Sequence, residues 1–205
     1  MAREDAVIVN ALVRQALVSA QEVMGENGLN TVLRTSGLER YIGNFPPDNL
    51  EPAIQTSDYA RLNEVIEEFY GRGGRGMLLR IGKASFQYAV REQAALLGIA
   101  GVALKLLPTK QRIKFILNAL VNALKKSNPQ VEAWVEETED TFAYCDSSCG
   151  ICHGRTSTEP ICYLYIGSIG EAIGWATGKE FQIVETHCTA KGDPHCRFEV
   201  RELKE

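Results

Sequence analysis

Residues 184–196, VETHCTAKGDPHC, contain two cysteines eight positions apart, Cys188 and Cys196, and a glutamate, Glu185, three positions before the first. The flanking segments EFQIVETHC and HCRFEVREL have the alternating apolar and polar pattern of β-strands, and TAKGDP has the composition of a turn. A hairpin would therefore bring the two thiols together at its mouth. Glu185 is an odd number of positions from Cys188, so it joins them only if the chain turns or bulges between the two residues.

Composition limits the classes of protein that the chain can represent. Its 205 residues suffice for one domain with its own core, and 45% hydrophobic with 23% charged residues is typical of a globular protein. A formal net charge of −4 does not favour nucleic acid or an anionic membrane as a partner. No segment approaches the roughly 18 uncharged apolar residues of a membrane span.

All six cysteines lie in the last third of the chain. The N-terminal segment lacks the features of a secretory signal, because Glu4 and Asp5 interrupt its start and Arg14 breaks its apolar run. We therefore expect a cytoplasmic protein with reduced thiols, in which clustered cysteines indicate metal binding or chemistry rather than disulfides.

Hydrophobic periodicity divides the chain into a helical part, residues 1–128, and an α/β part, residues 129–205, which we expect to form a single domain. The predicted helices are 5–24, 28–43, 57–71, 76–107, 109–126 and 159–178, and the predicted strands are 131–138, 140–146, 180–188 and 195–203. The segment GRGGRG, residues 71–76, matches G-x-G-x-x-G. A dinucleotide site requires a strand before this motif, and the predicted helix there indicates a helix–helix turn instead.

The C-terminal segment resembles the 4-vinyl reductase (4VR) domain. The resemblance rests on PIC at residues 160–162 and on GSIGEAIGWATGKEFQIVETHCTAKGDPHCRFEV at residues 167–200. This domain occurs in predicted hydrocarbon-binding proteins, in a bacteriochlorophyll-pathway protein and in phenol-responsive transcription activators. The resemblance implies a zinc ion, with a complete tetrahedral set of ligands at Cys162, Glu185, Cys188 and Cys196. A closed site of this kind has a structural role.

A second cysteine-rich segment, YCDSSCGICHG, spans residues 144–154. Cys149, Cys152 and His153 spell C-x-x-C-H, the attachment motif of c-type haem, which forms after export. Without a visible export signal we predict no covalent haem, and no role for Cys149 or Cys152 at the zinc site. A second metal or cluster site made by Cys145, Cys149 and Cys152, a redox-active dithiol, and a simple thiol-bearing loop remain open, and the loop is favoured.

The resemblance also implies an α+β fold, in which an N-terminal helical layer packs on a twisted antiparallel sheet as in TRAPP trafficking subunits and haem nitric-oxide-binding domains. An apolar cavity would lie between the layers, and Trp134, Phe86 and Tyr88 are its predicted ligand-binding residues. We expect a homodimeric module that binds or senses an apolar or aromatic small molecule. No paired carboxylates or Ser/His/Asp arrangement stands out, so we expect binding without turnover. The alternatives are a tetrapyrrole-pathway enzyme or carrier, and an assembly module resembling TRAPP subunits.

Overall fold

The computed structural model describes residues 6–99, 104–138 and 141–203. In these ranges the α-helices are α1 (Asn10–Thr35), α2 (Thr56–Tyr70), α3 (Gly74–Glu92), α4 (Ala94–Leu97), α5 (Thr109–Ser127) and α6 (Tyr163–Thr177). The strands are β1 (Val7–Val9), β2 (Pro52–Gln55), β3 (Ala133–Glu137), β4 (Phe142–Asp146), β5 (Phe181–His187) and β6 (Cys196–Glu202). Short 3-10 turns lie at Glu39–Tyr41, Gly71–Gly73, Leu104–Leu106 and Thr189–Lys191.

The strands form two antiparallel sheets within the described residues. β1 pairs with β2, and the other four strands form a sheet of order β3-β4-β6-β5. Helix α6 contacts both α3 and α5, and α5 and α6 also pack on the sheet. The predicted α+β fold, a helical layer on an antiparallel sheet, is confirmed. In the same residues, no helix has the length and apolar content that a membrane crossing requires.

The N-terminal region differs from the predicted elements. Two helices were expected at 5–24 and 28–43, and the structure has one helix, α1, interrupted at Gly25 by non-helical dihedral angles (φ 76°, ψ 164°). The residues before α1 form β1, which pairs with β2 just after the predicted connector. Local periodicity cannot reveal this pairing, because the partner strand lies more than forty positions away in the sequence.

The long predicted helix over 76–107 is also shorter than expected. α3 ends at Glu92, α4 ends at Leu97, and Gly98 follows in the left-handed conformation (φ 69°) that terminates a helix. Residues 100–103 of the prediction lie outside the described residues.

The glycine-rich segment 71–76 is a helix–helix turn, as predicted from the helix before it. α2 ends at Tyr70, a 3-10 turn covers Gly71–Gly73, and α3 begins at Gly74. A Cβ atom at Gly74 would overlap the backbone of Glu67. The glycine is therefore needed for the close passage of two helices, and no phosphate-binding loop is formed.

Helix α6 lies directly against α3 because both helices have glycine at the crossing. A Cβ atom at Gly82 of α3 would overlap the carbonyl oxygen of Leu164, and one at Gly167 of α6 would overlap the carbonyl oxygen of Leu79. This crossing fixes the start of α6, which follows Cys162 immediately. The packing of the helical layer thus determines where one of the predicted metal ligands lies.

We expect Gly82→Ala and Gly167→Ala each to lower the free energy of unfolding by about 1–3 kcal/mol or more, because backbone atoms cannot move aside as a flexible side chain can. Urea unfolding followed by circular dichroism measures the effect. Gly76→Ala is the matched control on α3, since no atom lies within 4 Å of its added Cβ. It should stabilise the helix by up to about 1 kcal/mol. Equal effects at Gly76 and Gly82 would contradict the crossing.

Candidate functional site

The hairpin of β5 and β6 solves the spacing problem at Glu185. The register between the two strands shifts between Glu185 and His187, as a β-bulge does, so Glu185 and Cys188 face the same interior. A tight turn follows, with Gly192 in the left-handed region (φ 93°). The Asp193 carboxylate accepts a hydrogen bond of 2.8 Å from the Cys188 amide. The backbone of the hairpin mouth is therefore held in place independently of any metal.

The four predicted ligands converge. The ligand atoms of Cys162, Glu185, Cys188 and Cys196, which we call the carboxylate tetrad, all lie within 4.8 Å of one another, and all four residues are buried. The Cys162 sulfur is 3.9 Å from the sulfurs of both Cys188 and Cys196. A zinc–sulfur bond of about 2.3 Å gives a tetrahedron whose edge is about 3.8 Å. The arrangement thus has the dimensions of a site for one metal ion.

Glu185 supplies an independent test of whether a cation fits. Its Oε2 accepts a 2.8 Å hydrogen bond from the Cys162 amide, while its buried Oε1 has no hydrogen-bond partner in the described residues. Burial, and then the nearby Cys188, raise the pKa of the Glu185 carboxyl to about 8. An orphaned buried carboxylate oxygen among thiols is destabilising unless a cation pairs with it. The donor set therefore fits a divalent metal.

Two further thiols join this centre, which the sequence did not show. Cys149, Cys152, Cys162 and Cys196, which we call the thiol tetrad, also have their sulfurs within 4.8 Å of one another. Cys149 lies 3.6 Å from Cys162, and Cys152 lies 3.4 Å from Cys196. We predicted that Cys149 and Cys152 take no part in the main site. The arrangement removes the separation on which that prediction rested.

Cys145 is not grouped with Cys149 and Cys152. It lies in β4, where sheet register fixes its side chain, whereas the other two thiols lie in the loop that follows the strand. Its thiol lies instead near Glu136 and His195, with the three ligand atoms within 4.8 Å of one another. The separate cluster of three cysteines predicted from the sequence is therefore not formed.

The cysteine loop, residues 147–162, is attached to the rest of the molecule by Arg155. The guanidinium donates a 2.8 Å hydrogen bond to Glu67 of α2 and lies 3.8 Å from Glu64. The Arg155 side chain is 13% exposed, so this ion pair is shielded from solvent. The amide of Arg155 also donates to the Cys152 carbonyl oxygen at 3.1 Å. This contact fixes the loop that carries two of the thiols.

Two adjacent cavities lie between the helices and the sheet, with volumes of about 130 and about 110 Å³. Their shared lining residues are Leu12, Gln15, Leu124, Tyr165 and Ser168. Gly150 of the cysteine loop lines the first cavity, and Phe86, one of the three predicted pocket residues, lines the second.

Trp134 and Tyr88, the other two predicted pocket residues, do not line these cavities. Trp134 is half-buried on β3 and its ring lies 5.0 Å from that of His195. Tyr88 is buried, and its hydroxyl accepts a 3.3 Å hydrogen bond from Arg14. The register of β3 and the rotation of α3 place both rings elsewhere, and neither can be read from residue type.

One polar pair borders the cavities. The Tyr165 hydroxyl donates to the Asp146 carboxylate at 3.4 Å, and the backbone amide and hydroxyl of Ser148 each donate to it at 2.8 Å. Burial raises the pKa of Asp146 to about 6. The apolar cavities thus have a fixed hydroxyl and a hydrogen-bonded carboxyl at one wall, a common arrangement for orienting a small ligand.

Residues 147–202 match the family profile of the vinyl-4-reductase domain, which confirms the resemblance to the 4-vinyl reductase (4VR) domain over that segment. Together with the fold, this match is consistent with a small-molecule-binding module of that family. No curated protein matches the sequence.

Several solved structures are similar to the whole chain. An H-NOX protein from K. algicida, solved in its Fe(II) unliganded form, is 12% identical with a TM-score of 0.59, covering 97% of this chain and 98% of that one. An oxygen-binding H-NOX domain related to soluble guanylate cyclases is 12% identical with a TM-score of 0.57, covering 93% and 96%. The phenol-responsive sensory domain of the transcription activator PoxR, solved with phenol, is 17% identical with a TM-score of 0.49, covering 74% and 77%. At these identities the similarities show the fold alone.

We expect Arg155→Ala to lower the free energy of unfolding by about 1–3 kcal/mol, because it leaves the shielded Glu67 carboxylate without its partner. Thermal or urea unfolding measures the loss. Arg61→Ala is the control on α2, where Arg61 forms exposed ion pairs with Glu64 and Glu68 that solvent screens. The role given to Arg155 is contradicted if both variants unfold like the wild type.

Proposed function

We propose that this protein is a binding or sensing module for a small aromatic or apolar molecule, in which zinc stabilises one wall of the ligand cavity. The observation that carries the proposal is the position of Gly150, which lines the first cavity and is flanked in the sequence by Cys149. Gly150 also packs against the cavity side, where its Cβ position is 3.5 Å from Thr56 and 3.7 Å from Tyr59. Metal centre and cavity therefore share one loop.

Cavity size favours a single-ring ligand over a tetrapyrrole. A dry apolar cavity of about 150 Å³ in another protein accommodates benzene, and the two cavities here have volumes of about 130 and about 110 Å³. A porphyrin is several times larger than one ring. None of the three histidines, all of which the structure describes, lines either cavity, so no imidazole is placed there to ligate a haem iron.

Tyr165 and Asp146 support a ligand that has a hydroxyl group. Tyr165 lines both cavities and Asp146 lines the first. A phenolic hydroxyl at this wall can accept from the Tyr165 hydroxyl or donate to the Asp146 carboxylate, while its ring remains among Leu12 and Leu124. Such a site distinguishes phenols from hydrocarbons of the same shape.

The zinc of the carboxylate tetrad has a structural role in this proposal. Cys162, Glu185, Cys188 and Cys196 supply four protein ligands, which leaves no coordination position for a water or a substrate. When bound, the metal supplies a fixed positive charge that pairs with the buried Glu185 carboxylate and the thiolates. It joins the start of α6 to the hairpin and so holds the chain around the cavity.

We expect isothermal titration calorimetry to show saturable binding of phenol to the purified protein, and no binding of protoporphyrin. Tyr165→Phe should weaken phenol about 3- to 10-fold, the effect of one lost hydrogen bond of about 0.5–1.5 kcal/mol. It should leave toluene, which has the same shape, unchanged. Trp134→Ala is the control, because Trp134 lies outside both cavities. Binding of phenol and toluene that Tyr165→Phe weakens equally would contradict the polar anchor, and binding of neither molecule would contradict the module itself.

We expect Cys188→Ser to remove one equivalent of zinc per chain and to lower the unfolding temperature, because the binding energy of a structural metal is folding energy. Plasma mass spectrometry measures the metal, and thermal unfolding with and without a chelator measures the coupling. Cys145→Ser, which removes a buried thiol outside both tetrads, should keep the metal. A Cys188→Ser protein with wild-type zinc content and stability would exclude the carboxylate tetrad as the site.

A further inference from the structure

We infer that the metal centre holds two divalent cations, with the second in the thiol tetrad and with Cys162 and Cys196 bridging both ions. The inference rests on the first metal site of the proposed function and adds a second site to it. The terminal ligands would be Glu185 and Cys188 for the first ion, and Cys149 and Cys152 for the second.

Geometry carries this inference. The six donors fall into two groups of four rather than into one group, and the two groups share only the Cys162 and Cys196 sulfurs. These two sulfurs are 3.9 Å apart, close to the edge of about 3.8 Å expected for a zinc–thiolate tetrahedron. Two tetrahedra that share one edge have this composition, with two bridging and four terminal ligands.

The distances to the terminal thiols fit the same description. Cys149 is 3.6 Å from the bridging Cys162, and Cys152 is 3.4 Å from the bridging Cys196. Sulfurs this close to one another enclose a single ion. An iron–sulfur cluster would place inorganic sulfide and further iron atoms between its cysteine ligands, and these contacts leave no room for them. Thiolate donors at this spacing select zinc or a similar soft cation.

Charge and burial supply the reason for a second ion. With one ion in the carboxylate tetrad, Cys149 and Cys152 remain in contact with ligated sulfurs while they are 0% and 2% exposed. A second divalent cation adds two positive charges and binds two further thiolates, so the net charge of the buried centre does not rise. The C-x-x-C spacing of these two residues is itself common among structural zinc ligands.

Hydrogen-bond donors next to the bridging sulfur support this arrangement. The Thr189 amide donates to the Cys196 sulfur at 3.4 Å, and the Thr189 hydroxyl lies 3.0 Å from the Cys152 sulfur. Donors of this kind stabilise electron-rich thiolates and fix their orientation around a metal. The same residue therefore serves one bridging and one terminal ligand.

The test is the metal stoichiometry of the full chain, reconstituted with zinc under reducing, oxygen-free conditions and desalted. We expect two zinc ions per chain. The double variant Cys149→Ser/Cys152→Ser should retain one, Cys188→Ser should also retain one, and Cys145→Ser should retain two. Reconstitution of the unaltered protein with ¹¹³Cd should give two resonances in the thiolate-rich region, which supports the inference even if a variant fails to fold.

Two results would overturn the inference. One ion per native chain, kept in Cys149→Ser/Cys152→Ser and lost in Cys188→Ser, would leave the carboxylate tetrad as the sole site. One ion lost in the double variant and kept in Cys188→Ser would place a single ion in the thiol tetrad, and would also overturn the zinc position of the proposed function. Phenol titration of the native protein reports on the cavity in either case, so the two proposals fail separately.

Discussion

A carboxylate and five thiols are buried in mutual contact, and this burial dominates the energetics of the C-terminal half. Glu185, Cys149, Cys152, Cys162, Cys188 and Cys196 come from the cysteine loop, the start of α6 and both sides of the β5–β6 hairpin. Such groups repel one another when ionised and lose hydration when buried, so a cation is the natural partner for them. A metal here connects three separate parts of the chain.

The consequence of this centre extends to the interior of the fold. The cysteine loop is fixed on one side by the thiols and on the other by the ion pair of Arg155 with Glu67 of α2. Between these two attachments, Gly150 forms part of a cavity wall. Helix α6 begins at the metal centre and carries Tyr165 and Ser168 into the cavities, while its glycine contact with α3 fixes its position. The metal centre and the cavities are thus two sides of the same loop and helix.

Sequence reasoning placed the ligands correctly where they are close together in the chain. Cys188 and Cys196 are linked by a short turn, so a hairpin prediction sufficed to bring them together. The family resemblance supplied Cys162 and Glu185, which the structure brings to the same point. Cys149 and Cys152 were assigned elsewhere, although their C-x-x-C spacing is a metal-ligand signal. Nothing local shows that their loop folds back onto Cys196, which lies 44 positions beyond Cys152.

Local properties of the chain were enough to establish the α+β class, most helices and strands, the hairpin at residues 180–203 and four ligand types in order. Periodicity, turn composition and short-range spacing carry this information. Long-range packing was needed to show that β1 pairs with β2, that Cys145 is separated from the other thiols, and that Trp134 and Tyr88 lie outside the cavities while Tyr165 lies inside. Strand register, loop path and helix rotation are set by contacts between distant segments, and a residue's type does not record which neighbour it will meet.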